Sequence, residues 1–256
     1  KRTLRRQVLE YVRYTERKAI TQPFNPTDDE QALYDAISTF LLKEESYALP
    51  RRQRHLTGLI LRKLLASSPS AVVGTLQIIR ERLQRLLDDG RDDTASAPTL
   101  LTTLVESEEL EDDYLEEEEN ADTGDEPALP ERFNAAALRL EIAEIDSFIV
   151  RAAKLGTDTK AQALLQAIDI GFARMAELGA PRKVIIFTES RRTQVYLREF
   201  LASNGHGDKL LTFSGSNNDE ASTRIHQQWL LANRDSDRVT GSPQVDRRTA
   251  LIDYFR

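Results

Sequence analysis

Cysteine is absent from this chain of 256 residues, so disulfides, thiolate metal sites and cysteine nucleophiles are excluded. Histidine is scarce. Only His55, His206 and His226 occur, which leaves little for a histidine-based metal or acid–base centre. Long hydrophobic runs are missing too. The longest aliphatic stretches resemble Val184–Phe187, far short of the roughly 20 residues that cross a bilayer. The first residues are strongly charged and hold no apolar segment of the secretory kind, so a cytoplasmic location is expected. No G-x-x-x-x-G-K-[ST] loop and no G-x-G-x-x-G occurs, so neither phosphate cradle nor dinucleotide fingerprint is written in the sequence.

The composition is 40% hydrophobic and 30% charged, the balance of a soluble globular chain. Its length suits one large domain or two ordinary ones. The net charge of -7 hides an asymmetry. Between Asp92 and Glu131 lie 16 Asp and Glu and no Lys or Arg. Of the 42 acidic residues, 26 remain elsewhere against 35 basic ones, an excess of 9 positive charges. A basic body suits a nucleic acid partner, and a long acidic run stays solvated. That segment, about 92–131 with Leu115–Asn120 at its centre, is read as mostly mobile. Arg outnumbers Lys 27 to 8. Arg forks suit phosphate, although a GC-rich genome yields the same ratio.

Helix signals fill the first two thirds. Thr27-Asp28-Asp29-Glu30 fits a capping box, and Leu33, Tyr34, Ile37, Phe40 and Leu41 follow at helical spacing. A second helix is expected over Arg51–Leu65, with Leu56, Leu59, Ile60 and Leu64 apolar. Ser68-Pro69 starts a third, which runs to about Leu87 with Val72, Val73, Leu76, Ile79, Leu83, Leu86 and Leu87 expected inward, and stops at Gly90. Asn134–Leu155 forms a fourth, with Leu138, Ile142, Ile145, Phe148 and Ile149 expected inward and Gly156 after it. Asp158 caps a fifth, with Leu164, Leu165, Ile168, Phe172, Met175 and Leu178 expected inward.

The pattern then changes. Lys183–Phe187 is a short continuous apolar run of the kind buried in a parallel sheet. Ser190 caps a helix to Ser203, and Lys209–Phe213 reads as a second strand. Strand, helix and strand in this span make one βαβ unit. Asp219–Leu231 and Pro243–Phe255 are further helices. The pair Asp219-Glu220 superficially resembles an acidic metal box, but it sits away from the strand end and is read as a helix cap. No catalytic and no metal-ligating residue is assigned.

Ligands of open α/β sheets bind beyond the carboxyl ends of strands. The first strand leads into Thr188, Ser190, Arg191 and Arg192, where hydroxyls, paired guanidinium groups and a helix N-terminus can meet phosphate. The second leads into Gly215 and Ser216, small and polar residues that permit close approach. The plainer alternative is that Ser190 only caps and Gly215 only turns.

Three separated segments carry a resemblance. KVIIFTESRRTQVYLREFL (183–201) resembles motif IV, the entry to the second RecA-like lobe of superfamily-two helicases. TGSPQVDRRTALIDYF (240–255) resembles the Swi/Snf pattern G-S-x5-E/D-R-x2-L-I-x2-F in general spacing: Gly241, Ser242, Arg248, Leu251, Ile252 and Phe255 stand for its Gly, Ser, Arg, Leu, Ile and Phe, with one residue fewer between Ser242 and Arg248 and Arg247 at the acidic place. Gln31 and Tyr34 are similar to the Gln and Tyr of the Q-x-x-L-Y helix that begins this lobe, with one residue fewer between them. The likeness covers less than half of the chain and is similar to bacterial Swi/Snf-like proteins. It departs from the family by an insertion over residues 43–180 and an extra segment over 217–240.

The resemblance implies an α/β fold, a partial RecA-like parallel sheet with a large helical insertion. It divides the chain into 1–42 at the start of the lobe, the 43–180 insertion, and 181–256 as the βαβ core. It implies a parent that is an ATP-dependent helicase or translocase on nucleic acid, expectedly double-stranded DNA. ATP and Mg²⁺ would be handled with a first RecA-like lobe that this chain lacks, and no cofactor is expected on this chain. The chain opens without Met and stops inside an apolar helix, which reads as a piece excised before motifs V and VI. Thr188, Ser190 and Arg191 would hold backbone phosphates, with Arg192, Gly215, Ser216 and Arg248 beside them. The plainer alternative for Arg248 is a pairing with Asp253. The rival reading is a non-enzymatic helical interaction module whose acidic arm binds a basic protein partner.

Overall fold

The computed structural model describes residues 19–43, 46–49, 54–89, 100, 134–156, 158–188 and 190–256. The acidic segment, the opening residues 1–18, Arg51, Arg52 and Gly90 lie outside the described residues, apart from Leu100, which is buried. In chain order the helices are α1 (Asp28–Leu41), α2 (Arg54–Ser67), α3 (Pro69–Asp89), α4 (Ala135–Lys154), α5 (Thr159–Glu177), α6 (Arg191–Leu201), α7 (Glu220–Asn233) and α8 (Pro243–Phe255). A π turn, Ala202–His206, and a short 3-10 turn, Gly207–Lys209, follow α6.

Helix starts follow local chemistry. Thr27 Oγ1 accepts the Glu30 N–H at 3.2 Å, and the Glu30 carboxylate accepts the Thr27 N–H at 2.6 Å. This reciprocal pair satisfies two donors that the first turn of α1 leaves open. The same carboxylate accepts from Thr159 N at 2.9 Å and Thr159 Oγ1 at 2.8 Å. One side chain thus ties the start of α1 to the start of α5. Burial pushes the Glu30 carboxyl up, but the hydrogen bonds from Thr159 and Thr27 together hold it below its ordinary range. Asn134 caps α4, Asp158 caps α5, Ser190 caps α6 and Asp219 caps α7.

The main core lies among α1, α2, α3 and α4. Ile37 and Phe40 come from α1, Leu61 and Leu64 from α2, Leu76, Ile79 and Leu83 from α3, and Leu138, Ile145 and Phe148 from α4. Each such side chain removed from water contributes about 1.5–3 kcal/mol. The rings of Phe40 and Phe148 meet edge to face, 5.6 Å between centroids at 73°. Buried Glu141 of α4 holds the 46–49 loop across this bundle: its carboxylate accepts from Tyr47 N, Ala48 N and Ser46 Oγ, each at 3.0 Å. A second, smaller core joins α7 to α8 through Ile225, Trp229, Ala250 and Leu251. Trp229 Nε1 donates to Asp253 at 2.8 Å, and Arg238 also pairs with Asp253 while lying over the indole ring.

The expected α/β fold is not what forms. Among the described residues the chain is helical and has no strand, so the partial RecA-like parallel sheet is overturned. Lys183–Phe187 and Leu210–Phe213 are both non-helical, but no ladder joins them. An apolar run becomes a strand only when a neighbour takes up its backbone donors and acceptors. Here no ladder pairs the two backbones, and side chains of both runs contact other elements. Lys183 Nζ donates to the carbonyls of Phe255, at 2.6 Å, and of Arg256 at the end of α8. Leu211 packs against the Trp229 core. The side chains expected inside a sheet are therefore exposed: Ile185 is 63% and Phe187 90% exposed. The α5 stripe is corrected as well. Ile168 is buried, Leu164, Leu165, Phe172 and Met175 are half-buried, and Leu178 is exposed. In α2, Leu59 is exposed while Ile60 and Leu64 are buried.

Candidate nucleic-acid interface

Of the residues singled out in sequence, Gly215 and Ser216 lie in the loop between Phe213 and Asp219. Asn217 builds it. Its Oδ1 accepts the Ser214 N–H at 2.7 Å, and its own N–H donates to Ser214 Oγ at 3.1 Å. Asn217 has φ 48, the left-handed region that Asn tolerates better than most side chains. It is buried, whereas Gly215 is exposed and Ser216 half-buried on the outside of the turn. Three elements are attached to this loop. From α6, Gln194 Nε2 donates to the Phe213 carbonyl at 2.9 Å. From α8, Arg247 Nη1 donates to Asn218 Oδ1 at 2.5 Å. Asp219 then starts α7, accepting from Ser222 N at 2.9 Å and Ser222 Oγ at 2.6 Å.

The predicted residues separate into two groups here. Arg191 at the start of α6, Gly215 in the loop and Arg248 on α8 are exposed. Thr188, Ser190 and Arg192 serve the fold. Thr188 Oγ1 donates to the Ser190 carbonyl and accepts the Ser190 N–H, both at 3.3 Å. Ser190 is 2% exposed, and its hydroxyl accepts the Thr193 N–H at 3.2 Å. Its role as a cap is therefore seen directly. Arg192 turns toward α3 and donates from Nη1 to Thr75 Oγ1 at 3.1 Å. Arg248 was also a candidate partner for Asp253, but Asp253 is held by Trp229 and Arg238.

Sequence reasoning passed over Asn217, Asn218, Gln194 and Arg247. The run Ser214-Gly215-Ser216-Asn217-Asn218 is rich in turn formers, a signal that could have marked the loop. Nothing local signals that Arg247 reaches it. Charge around the loop comes from Arg. His226 of α7 is 7% exposed, and no hydrogen-bond partner is seen for its Nε2. Burial lowers its pKa and the Arg247 charge lowers it further, against an opposing pull from Asp246. It is thus a neutral group at pH 7. Asp246 holds the entry to α8, accepting from Thr240 N at 2.9 Å and Thr240 Oγ1 at 2.7 Å. These bonds, the backbone one first, hold its carboxyl below the usual range.

This arrangement places the Arg247 guanidinium beside an exposed glycine turn, a chemistry that suits phosphate. Among the described residues, no three His, Cys, Asp or Glu side chains stand where they could hold a metal ion. No described helix is long and apolar enough to cross a membrane. Set against protein-family models, curated proteins and solved structures, the chain finds no match in any of the three.

Proposed function

We propose that this chain supplies sequence-independent contacts to the phosphate backbone of a nucleic acid, as part of an ATP-driven cytoplasmic translocase on double-stranded DNA. The observation that carries the reading is Arg247 of α8 donating to Asn218 beside the exposed Gly215 turn, with Gln194 of α6 donating to the Phe213 carbonyl and Arg191 and Arg248 exposed on those two helices. The basic excess outside the acidic segment and the helicase-like motifs in sequence support it. ATP and Mg²⁺ would be handled by a facing lobe that supplies the phosphate cradle this sequence lacks.

Binding should be weak, with Kd around 10⁻⁴ to 10⁻⁶ M near physiological salt, and should weaken steeply as salt rises. Fluorescence anisotropy of a labelled duplex, titrated at several salt concentrations, tests this. Arg191→Ala with Arg248→Ala should weaken binding alike on unrelated sequences and flatten the salt slope by up to about 2. Unchanged affinity and slope in the double variant would remove this face from the phosphate track.

A second reading is favoured by the helical character of the described residues. In it, the chain is an interaction module whose acidic segment binds a basic protein. A polylysine peptide that binds the chain where duplex does not would decide for it.

A further inference from the structure

The contact between α7 and α8 encloses two nitrogens that no hydrogen bond satisfies. His226 of α7 is 7% exposed, and its Nε2 is shut off from water without a partner. Nε of Arg247 on α8 is in the same state. Buried polar atoms normally find a partner, so these two mark a weak point in a contact otherwise built on Ile225, Trp229, Ala250 and Leu251. The charges that act on the imidazole both come from α8: Arg247 disfavours its protonated form and Asp246 favours it. Asp246 is already committed, since its carboxylate accepts the Thr240 N–H and hydroxyl. On α7 itself, Ser222, Thr223, Trp229 and Leu230, one turn away on either side, carry no charge. Leu211 and Val239 pack on this core and bring none. Arg238 and Asp253, beside Trp229, pair with each other.

Arg247 also ties α8 to the 214–219 loop, through Nη1 to Asn218 Oδ1. One guanidinium therefore feels the charge of the imidazole and holds the loop. We propose that His226 and Arg247 form a pH-sensitive latch on this loop, in which a proton bound by the imidazole drives Arg247 off Asn218. The proton puts a second positive charge near the guanidinium inside a contact shielded from water, where like charges repel strongly. Arginine cannot shed its own proton, so its side chain moves out to water and gives up Asn218. The latch is closed at pH 7, where the imidazole is neutral. Burial and the Arg247 charge lower the His226 pKa in the closed form. The closed form is thus fully kept above the ordinary value of about 6.5 and is lost as pH falls through the lowered one. The latch stands or falls independently of the nucleic-acid reading.

Hydrogen exchange of the full chain, read by mass spectrometry and corrected for the intrinsic pH dependence of amide exchange, tests this. The loop amides of Ser214 and Asn217 are held by Asn217 Oδ1 and Ser214 Oγ, so their protection reports whether the loop is in place. The peptide covering 214–219 should exchange up to about tenfold faster at about pH 5.5 than at about pH 6.5, because one pH unit changes the open-to-closed ratio by at most tenfold. The buried helix α3 should keep its protection over the same range. His226→Gln, neutral throughout, should leave the loop equally protected at both values; His226→Asn serves if circular dichroism shows that variant misfolded. Asn218→Ala, at an exposed residue, removes the tie and should release the loop already at pH 7, with no further rise on acidification. A wild-type loop whose protection does not change, or a change that persists in a folded His226 variant, overturns the latch. Loss of protection in α3 together with the loop is general acid unfolding and overturns it as well. A loop that stays protected at pH 7 in Asn218→Ala removes Arg247 as its tie, and the latch with it.

Discussion

Glu141 is a sharp test of how the bundle is held. Its carboxylate is 8% exposed and accepts from Tyr47 N, Ala48 N and Ser46 Oγ. Glu141→Ala strips the Tyr47 amide of the acceptor seen for it. The Ala48 amide keeps a contact to Ser46 Oγ at 3.1 Å, so its loss is partial. A buried donor left without its acceptor costs about 1–3 kcal/mol. With one full and one partial loss, and the small cavity left by the side chain, the expected cost is roughly 2–4 kcal/mol. At about 2–4 °C per kcal/mol for a chain of this size, Tm should fall by roughly 4–16 °C. Glu141→Gln keeps one acceptor oxygen and should lose about half as much. Thermal unfolding followed by circular dichroism, with urea melts at 25 °C, gives both numbers. A fall in Tm below about 1 °C for Glu141→Ala would mean that the 46–49 loop is not anchored by this carboxylate, and the hydrogen-bond reasoning would fail.

Two further outcomes follow from the described structure. Phe187→Ala should change stability by less than about 0.5 kcal/mol, because the ring is 90% exposed; a loss of 3–5 kcal/mol, the cost of emptying a core phenylalanine site, would restore the buried strand that the structure overturns. His226 is neutral when folded and its pKa lies below the ordinary value, so its contribution is fully present above about pH 6.5 and is lost as pH falls through the lowered folded value. Tm followed from pH 7 to pH 5 should therefore drop more steeply for wild type than for His226→Gln, and parallel curves would show that His226 is not held neutral by burial.

Much of the helical frame was legible in advance. The Thr27–Glu30 box, the Asp158, Ser190 and Asp219 caps, and the buried stripes of α3 and α4 follow from interactions a few residues apart. Such short-range chemistry is written in the order of residues. The candidate site was legible only in part. Arg191, Gly215 and Arg248 are exposed, but Ser190 is consumed as a cap and Arg192 turns to α3. Adjacent arginines look alike in sequence. What sets Arg192 apart is a contact with Thr75 of α3, 117 positions away in the chain.

The sequence by itself determined where helices begin, which faces of α3 and α4 are apolar, and that no cysteine, phosphate cradle or membrane-length run is present. The tertiary structure decided the rest. Whether Lys183–Phe187 is a strand depends on a second backbone beside it, and none is supplied among the described residues. Whether Leu178 or Phe187 is buried depends on what packs over it. Whether Glu141 is a surface charge or an anchor depends on the 46–49 loop crossing α4. Caps and periodicity are properties of a few neighbouring residues. Pairing, burial and hydrogen bonding across the chain belong to contacts between distant segments, which local pattern does not encode.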